Sequence, residues 1–331
     1  MCRPGEPPAR GHALSKGRKA AQAVREVTAL DTGLVVRGHG RHYLVQTDDG
    51  QRLQCVPRGK KSDCVVGDRV RWQPTSPGEG VIEGLEPRRN LLYRQDEWRS
   101  KSFAANVDQV LVLVAVEPVF SESLLSRALL AAAEAGIEVR IGLNKTDLPG
   151  VAHARERLAP YTAMGVPVME LALKSDVAAS LSTLGPWLAG KTTLVLGPSG
   201  TGKSTLTNLL VPDAQAQVGE ISEALNSGRH TTTHTQWYSL ASGPIGALGS
   251  GAWMDSPGFQ TFGIQHIEPM RLAPLMPDFA EPATRCRFAN CTHRQEPGCA
   301  VRAALDAGQI AASRYRIYLE LFDELSRPPA Y

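Results

Sequence analysis

Two short motifs constrain this chain more than any other feature of its sequence. Residues 197–204 match the phosphate-binding pattern GxxxxGK[ST], with an apolar run before them and a helical run after them. In such a loop backbone N–H groups surround the phosphates, the lysine faces the β- and γ-phosphates, and the next hydroxyl reaches Mg²⁺. The predicted nucleotide-binding residues of this phosphate loop are Gly197, Pro198, Ser199, Gly200, Thr201, Gly202, Lys203, Ser204 and Thr205.

The second motif lies upstream and indicates which base is bound. Asn144, Lys145, Thr146 and Asp147 follow the apolar run 139–143. A carboxylate at Asp147 can accept hydrogen bonds from N1–H and N2–H₂ of guanine, an edge that adenine lacks, while Asn144 would tie this reader loop to the phosphate loop. A lone NKxD is often an ordinary turn, but beside a phosphate loop it favours GTP over ATP.

Two further segments complete the predicted nucleotide site. Asp255 would hold Mg²⁺ and the Gly258 amide would sense the γ-phosphate, as in P-loop GTPases. The hydroxyl-rich segment 228–233 reads Gly-Arg-His-Thr-Thr-Thr and would close over the metal. The predicted magnesium ligands are Ser204, Thr232 and Asp255, and Thr232 and Thr233 are also predicted to contact the nucleotide.

The order of these segments is reversed relative to ordinary GTPases, because the base reader precedes the phosphate loop. We therefore predict a circular permutation, which compact domains tolerate when their termini lie close together. From residue 107 onward, apolar strands alternate with helices at 122–135 and 152–163, the pattern of a parallel sheet covered by helices. The segment after Asp255 then leads directly into the C-terminal region.

A cysteine cluster predicts a metal site near the C-terminus. Cys286, Cys291, His293 and Cys299 lie in a polar stretch. Three thiolates and an imidazole form a closed tetrahedral set for one structural Zn²⁺, with no open position for catalysis. Cys55 and Cys64, which lie near valines, are expected to be buried small hydrophobic residues, and the six cysteines together fit no disulfide framework.

The region before residue 95 predicts a different kind of domain. Five short strands separated by turns suggest a small OB-type barrel, a fold that binds oligonucleotides. Arginines and lysines are concentrated between residues 52 and 71, although the whole chain carries a formal net charge of only +3. A solvated basic face would explain such a run as well as RNA binding does, so the charges alone leave both interpretations open.

The first 25 residues are basic and proline-rich, and we expect them to be disordered when free. The sequence opens with no signal peptide, and no run approaches the roughly 18 apolar residues of a membrane span. Together with the cysteine usage, these features predict a cytoplasmic protein that does not contact a membrane. We expect a monomer.

These motifs together resemble one known family, the circularly permuted bacterial GTPases of the RsgA/YjeQ type that mature the small ribosomal subunit. The resemblance extends from about residue 27 and rests on the motif order, on Gly219-Glu220-Ile221-Ser222 leading into 228–233, and on the cysteine cluster. It implies that the GTP-bound protein binds the small ribosomal subunit and its rRNA, and that GTP hydrolysis to GDP releases it.

The predicted chain is thus a multidomain α/β protein. Its parts are a basic arm at 1–26, an OB-fold RNA-binding domain at 27–95, a circularly permuted GTPase domain at 96–268 and a mainly helical zinc-binding domain at 269–331. In the last part, a helix is predicted at 311–325, with Arg314 and Arg316 able to face RNA. Its predicted packing stripe consists of Tyr315, Tyr318, Leu319 and Phe322.

Hydrolysis is predicted to be slow in the isolated protein. Efficient GTPases often place a glutamine after the DxxG glycine, whereas Phe259 follows Gly258 here and Gln260 comes one position later. The predicted catalytic residues are His230, Lys203 and Thr232. His230 would orient or deprotonate water once a partner orders its loop, a role that the resemblance also favours; a solvated loop histidine is the alternative.

Two other functions remain open at this stage. One is a P-loop ATPase with a zinc adaptor, and the other is an RNA-binding scaffold with a vestigial nucleotide site. The presence of Lys203, Ser204 and Asp255 together argues against decay of the site. The guanine loop expected after the strand at 166–171 is degraded, because residues 170–175 read Glu-Leu-Ala-Leu-Lys-Ser; a backbone amide could still contact the base, with Lys174 above it.

Overall fold

The structure is a computed structural model that describes residues 30–59, 63–96, 99–215, 234–246, 249–257 and 264–327, with backbone alone for 94–96, 99 and 100. Residues Asp31–Tyr331 form one compact unit. The predicted arm at 1–26 lies outside the described residues. Within the described residues, no helix is both long and apolar enough to cross a membrane.

The first five strands close into a barrel. They are β1 (Asp31–His39), β2 (His42–Thr47), β3 (Arg52–Pro57), β4 (Arg69–Ser76) and β5 (Glu79–Leu85). Their order is β1-β2-β3-β5-β4, and an additional β1–β4 pairing joins the ends of this series, which leaves the barrel without a free edge there. Alternate side chains such as Val45, Val70 and Ile82 point inward and form a separate core.

The central domain is built on a mainly parallel sheet. Its strands are β8 (Gln109–Ala115), β9 (Glu138–Asn144), β10 (Val168–Glu170), β11 (Thr192–Leu196), β12 (Gln236–Ser239) and β13 (Ala252–Asp255). Every position of β8 is buried, as expected for a strand with helices on both faces. The covering helices are α1 (Glu122–Glu134), α2 (Val151–Ala163), α3 (Val177–Leu188) and α4 (Lys203–Leu210).

The barrel and the central sheet are joined edge to edge. The central strands follow the order β10-β9-β8-β11-β13-β12, and β12 pairs antiparallel with β1 of the barrel, where Arg37 lies opposite Gln236. A hairpin of β6 (Leu91–Asp96) and β7 (Arg99–Ala105) connects the two parts along the chain. This hairpin spans residue 95, where the sequence analysis placed a domain boundary, and that boundary stays a prediction.

The C-terminal part is helical and packs on the central domain. It contains α5 (Leu272–Leu275), α6 (Pro277–Ala283), α7 (Ala300–Asp306) and α8 (Ala312–Leu325). Phe279, Tyr318 and Leu321 are buried in the same hydrophobic core as α1 and β9. The C-terminal helices are therefore held by the central sheet and its helices, and not by the cysteine cluster alone.

Most predicted elements are confirmed, and one expectation is wrong. The strands of the barrel, the helices at 122–135 and 311–325 and the parallel sheet all appear within a few residues of their predicted limits. Arg314, however, does not face RNA. It is buried, donates to both oxygens of Asp278, and packs over the ring of Tyr161. Arg316 is exposed, as predicted.

Candidate functional site

The phosphate loop connects the buried end of β11 to the first turn of α4. Gly197 must be glycine because a Cβ there would lie 2.1 Å from the carbonyl oxygen of Leu113. Gly200 and Gly202 adopt positive φ angles of 80° and 103°, which side chains rarely tolerate. Ser204 and Thr205 follow in the first turn of α4, so their hydroxyls and amides lie at the helix N-terminus, where anions bind.

Lys203 lies under this loop and is almost fully buried. Its Nζ donates to the carbonyl oxygens of Gly197, at 2.8 Å, and Pro198, at 2.7 Å. Burial lowers the pKa of Lys203 to about 8, and the nearby Asp255 carboxylate opposes that shift. An approaching anion stabilises the charged form of a buried ammonium group. Lys203 is therefore placed to hold a phosphate in this loop.

Asn144 joins the base reader to the phosphate loop. Its Nδ2 donates to the carbonyl oxygen of Thr201 at 2.8 Å, and its Oδ1 accepts from the amide of Leu173 at 3.2 Å. The side chain is buried, and a Cβ at Gly202 would lie 2.4 Å from its Nδ2. One side chain thus brings together three loops that are separated by up to 57 residues.

The remaining reader residues lie at the carboxyl end of β9. Lys145 has a positive φ of 63°, which turns the chain sharply after Asn144. The amide and hydroxyl of Thr146 both donate to the carbonyl oxygen of Leu171, at 3.2 and 3.1 Å. Asp147 is exposed and open to a base. Lys174, the residue predicted to lie over that base, is also exposed, and burial followed by repulsion from Lys174 lowers the pKa of Lys145.

Asp255 ends β13, the strand beside β11. Because the two strands are parallel, their carboxyl ends meet, and Asp255 lies close enough to Lys203 to affect its pKa. The carboxylate is 1% exposed. Ser256, also buried, donates from Oγ to the carbonyl oxygen of Val195 at 2.5 Å, which fixes the turn after Asp255 against β11.

Several predicted site residues lie outside the described part of the chain. They are Gly228, Arg229, His230, Thr231, Thr232, Thr233, Gly258, Phe259 and Gln260. Their roles therefore stay predictions. Among the described site residues, the phosphate loop, the reader loop and Asp255 all lie at one edge of the central sheet.

Residues 264–267, which come next along the chain in the described part after residue 257, are fixed to the C-terminal domain. Ile264 and Ile267 are buried in the main core. Between them, Gln265 donates to Glu324 Oε1 of α8 at 2.8 Å, and the same oxygen accepts from Arg127 of α1 at 2.9 Å. In the sequence, Gln265, which makes this contact with the C-terminal helix, lies ten positions after Asp255.

The four predicted zinc ligands do converge. Their ligand atoms all lie within 4.8 Å of one another. Cys286 Sγ is 3.9 Å from Cys299 Sγ, and His293 Nδ1 is 3.5 Å from each of those sulfurs. A tetrahedral ion with Zn–S bonds of about 2.3 Å requires sulfurs about 3.8 Å apart, so the donor set and its dimensions fit zinc.

Sequence reasoning missed the groups that hold residues 286–299, the segment that carries the four metal ligands and is called the ligand loop below. Glu296 accepts from the amides of Thr292, Arg294 and Gln295 and from the Thr292 hydroxyl. Burial raises the pKa of Glu296, but these hydrogen bonds outweigh it and leave the pKa at about 2. The hydroxyls of Tyr315 and Tyr318 donate to the carbonyl oxygens of His293 and Thr292, so the predicted packing stripe also carries hydrogen bonds.

Comparison with known proteins identifies close relatives. A family model described as RsgA GTPase matches residues 85–265. A protein of Variovorax paradoxus, strain S110, named small ribosomal subunit biogenesis GTPase RsgA, is 55% identical over 99% of this chain and 99% of its own length. A protein of the same name from Burkholderia pseudomallei, strain K96243, is 49% identical over 98% of this chain and 96% of its own length.

Solved structures agree with this result. The crystal structure of YjeQ from Thermotoga maritima superposes with a TM-score of 0.67 at 32% identity, covering 90% of this chain and 99% of its own. YloQ, described as a circularly permuted GTPase, superposes with a TM-score of 0.66 at 27% identity, covering 93% of this chain and 99% of its own. The permuted arrangement predicted from motif order is thereby confirmed.

The hydrogen bonds of Glu296 lead us to predict how the stability of the ligand loop depends on this residue. Replacing Glu296→Gln removes the charge from an acceptor of four bonds, so the zinc-bound protein should lose about 1–2 kcal/mol of unfolding free energy. It should also release zinc faster to a chelator. Glu320→Gln, the same change at an exposed position of α8, is the control. Equal stability and zinc release in both variants would contradict the assigned role.

Proposed function

The chain belongs to the RsgA GTPase family, and we propose that it hydrolyses GTP to promote maturation of the small ribosomal subunit. The observation that carries this proposal is the Asn144 bridge, because it assembles a base-reading loop and a phosphate loop into one site. The names of the two full-length relatives supply the ribosomal role.

The nucleotide site would work through charge and position. Asp147 would read the guanine edge, and the amides of 197–205 together with Lys203 would hold the phosphates. Ser204, Thr232 and Asp255 would ligate Mg²⁺, which supplies charge neutralisation on the β- and γ-phosphates. Burial of Asp255 supports this assignment, since a nearby cation stabilises the ionised form of a carboxylate that is removed from water.

The zinc cluster would be structural. Three thiolates and one imidazole leave no open coordination position, so the ion would hold the loop together rather than take part in catalysis. Zinc bound to Cys286, Cys291, His293 and Cys299 would stabilise the surface that α7 and the ligand loop present.

The two flanking domains would contact rRNA and respond to the nucleotide. The barrel shares a continuous sheet with β12 and β13, and the C-terminal helix holds the segment after Asp255 through Gln265. Loss of the γ-phosphate would alter both contacts, so the GTP form would bind the subunit and the GDP form would leave it. This cycle is cytoplasmic and involves a monomer.

Base selection by Asp147 gives a direct prediction. In Asp147→Asn the amide presents a donor where the guanine edge also donates, so GTP affinity should fall by about 1–3 kcal/mol. Xanthosine triphosphate, which offers a carbonyl at that edge, should gain affinity. The measurement is competition among GTP, XTP and ATP for the wild type and the variant. Unchanged preference for GTP in the variant would show that Asp147 does not read the base.

Stimulation by the ribosomal subunit is the test of the proposed function itself. Purified small subunits should raise GTP turnover by at least about tenfold, because ordering of a catalytic loop by a partner is worth far more in other GTPases. The effect should weaken with added salt, since phosphate contacts depend on ionic strength. Large subunits serve as the control.

His230 is expected to act in that stimulated state. The His230→Ala variant should bind GTP normally and lose most of the stimulation, whereas a solvated loop histidine could be removed without effect. No stimulation of the wild type by small subunits would refute the ribosomal role, and full stimulation of His230→Ala would refute the catalytic one.

A further inference from the structure

A cleft lies where the barrel meets the central sheet, and no part of the nucleotide or zinc site uses it. Its volume is about 640 Å³, within the usual range for ligand sites. We call it the junction cleft and define it by the side chains that matter for binding: Arg69, Glu86, Arg89, Asn106, Trp237 and Met254. It includes neither β3 nor the β1–β2 turn, so it is separate from the face by which OB folds usually bind oligonucleotides.

One wall of the cleft is aromatic and comes from the strand β12. Trp237 is partly exposed and packs with its other side against the main core. Met254 lies opposite it in the β12–β13 ladder and lines the same cleft. Met254 is 1% exposed and only borders the cleft, so the accessible aromatic surface is that of Trp237. A firmly held indole is a surface on which a nucleobase can stack, whatever the identity of the base.

The guanidinium groups of Arg69 and Arg89 line the cleft together with Trp237. Arg69 of β4 is 45% exposed, and its Nη2 donates both to Thr32 Oγ1 and to the Asp48 carboxylate. Arg89 is 61% exposed and donates to Asp108 at 2.5 Å and to the carbonyl oxygen of Asn106 at 2.9 Å. Among the described residues neither Nε has an acceptor, so each arginine keeps a donor for a phosphate oxygen.

The charges of the cleft limit what can occupy it. Asp48 and Asp108 each balance one of these arginines, and Glu86 is paired with Arg71 at 3.1 Å. The cleft therefore lacks the excess of positive charge that holds a duplex by its backbones alone. It fits a ligand whose binding comes chiefly from stacking, with one or two phosphates near the arginines.

We propose that the junction cleft binds an unpaired nucleotide of an RNA strand, with its base on Trp237 and its phosphate at Arg69 and Arg89. The proposal rests on the function proposed above and specifies how RNA meets the GTPase domain. In the β12–β13 ladder Trp237 lies opposite Met254, and Gln236 lies opposite Asp255. Such a nucleotide would therefore contact the strands that position Asp255, the proposed magnesium ligand. RNA binding at the cleft is thus linked to the nucleotide site through a single ladder of hydrogen bonds.

Tryptophan fluorescence can detect the stacked base directly. Trp72, Trp187 and Trp253 are buried, which leaves Trp237 and Trp98, a residue outside the described part, as the other tryptophans. A single-stranded oligoadenylate of about ten nucleotides should quench the tryptophan fluorescence of the zinc-bound full chain, measured with a saturating non-hydrolysable GTP analogue. Trp98→Phe should retain this quenching and Trp237→Phe should lose it. Quenching that survives in Trp237→Phe would overturn the proposal.

A matched pair of arginine variants separates the cleft from general electrostatics. Arg69→Ala should weaken oligonucleotide binding about fivefold or more, as for loss of a phosphate contact. Arg155→Ala removes an arginine of α2 that is 54% exposed, is also paired with a carboxylate and lies outside both the barrel and the cleft, so it should bind as the wild type does. Equal weakening in both variants would overturn the proposal, as would a duplex RNA that binds as tightly as the single strand.

The same variants distinguish this inference from the proposed function. Trp237→Phe and Arg69→Ala should keep basal GTP turnover and lose part of the stimulation by small subunits. If the wild type is not stimulated, the proposed function fails, whatever the oligonucleotide does. If the wild type is stimulated and both variants match it, the function stands and the junction cleft is not its RNA site.

Discussion

The whole site depends on one buried amide. Asn144 accepts from the loop after β10 and donates to the phosphate loop, so the segments that would hold the base and the phosphates keep a fixed separation. Removing this buried amide is costly in stability, because it takes away the hydrogen-bond partner of the Thr201 carbonyl oxygen and of the Leu173 amide. The chain order of the two motifs is reversed, yet this contact depends only on their positions in space.

The permuted order has a mechanical consequence at each end of the central domain. The segment after Asp255 leads into the C-terminal helices and is tied to α8 by Gln265, Glu324 and Arg127. On the other side, β12 pairs with the first strand of the barrel, and the side chains of His39 and His234 are 2.7 Å apart beside that pairing. Both flanking domains therefore contact strands or segments that border the nucleotide site, a suitable arrangement for reporting its state.

Local patterns predicted much of this structure. Glycines at fixed spacing, an apolar run and a helix start are enough to place a phosphate loop, and the ligand spacing was enough for the metal cluster. What failed or was missed depends on tertiary contacts. Arginine is usually a surface residue, but Arg314 is buried here because its charge is neutralised by Asp278, which is distant in sequence. Likewise, no local pattern predicts that Glu296 holds the ligand loop, that the Leu173 amide binds Asn144, or that β12 pairs with the barrel.

The most direct test of this account is GTP binding by Asn144→Ala, with Asn90→Ala as the control. Asn90 makes the same pair of amide-to-backbone bonds, to Val107, away from the nucleotide site. Loss of the bridge should lower GTP affinity by about tenfold or more and reduce the preference for GTP over ATP, since about 1.4 kcal/mol corresponds to tenfold. Asn90→Ala should retain both. If Asn144→Ala binds GTP with wild-type affinity and selectivity, the reader and the phosphate loop do not depend on this contact, and the central claim is wrong.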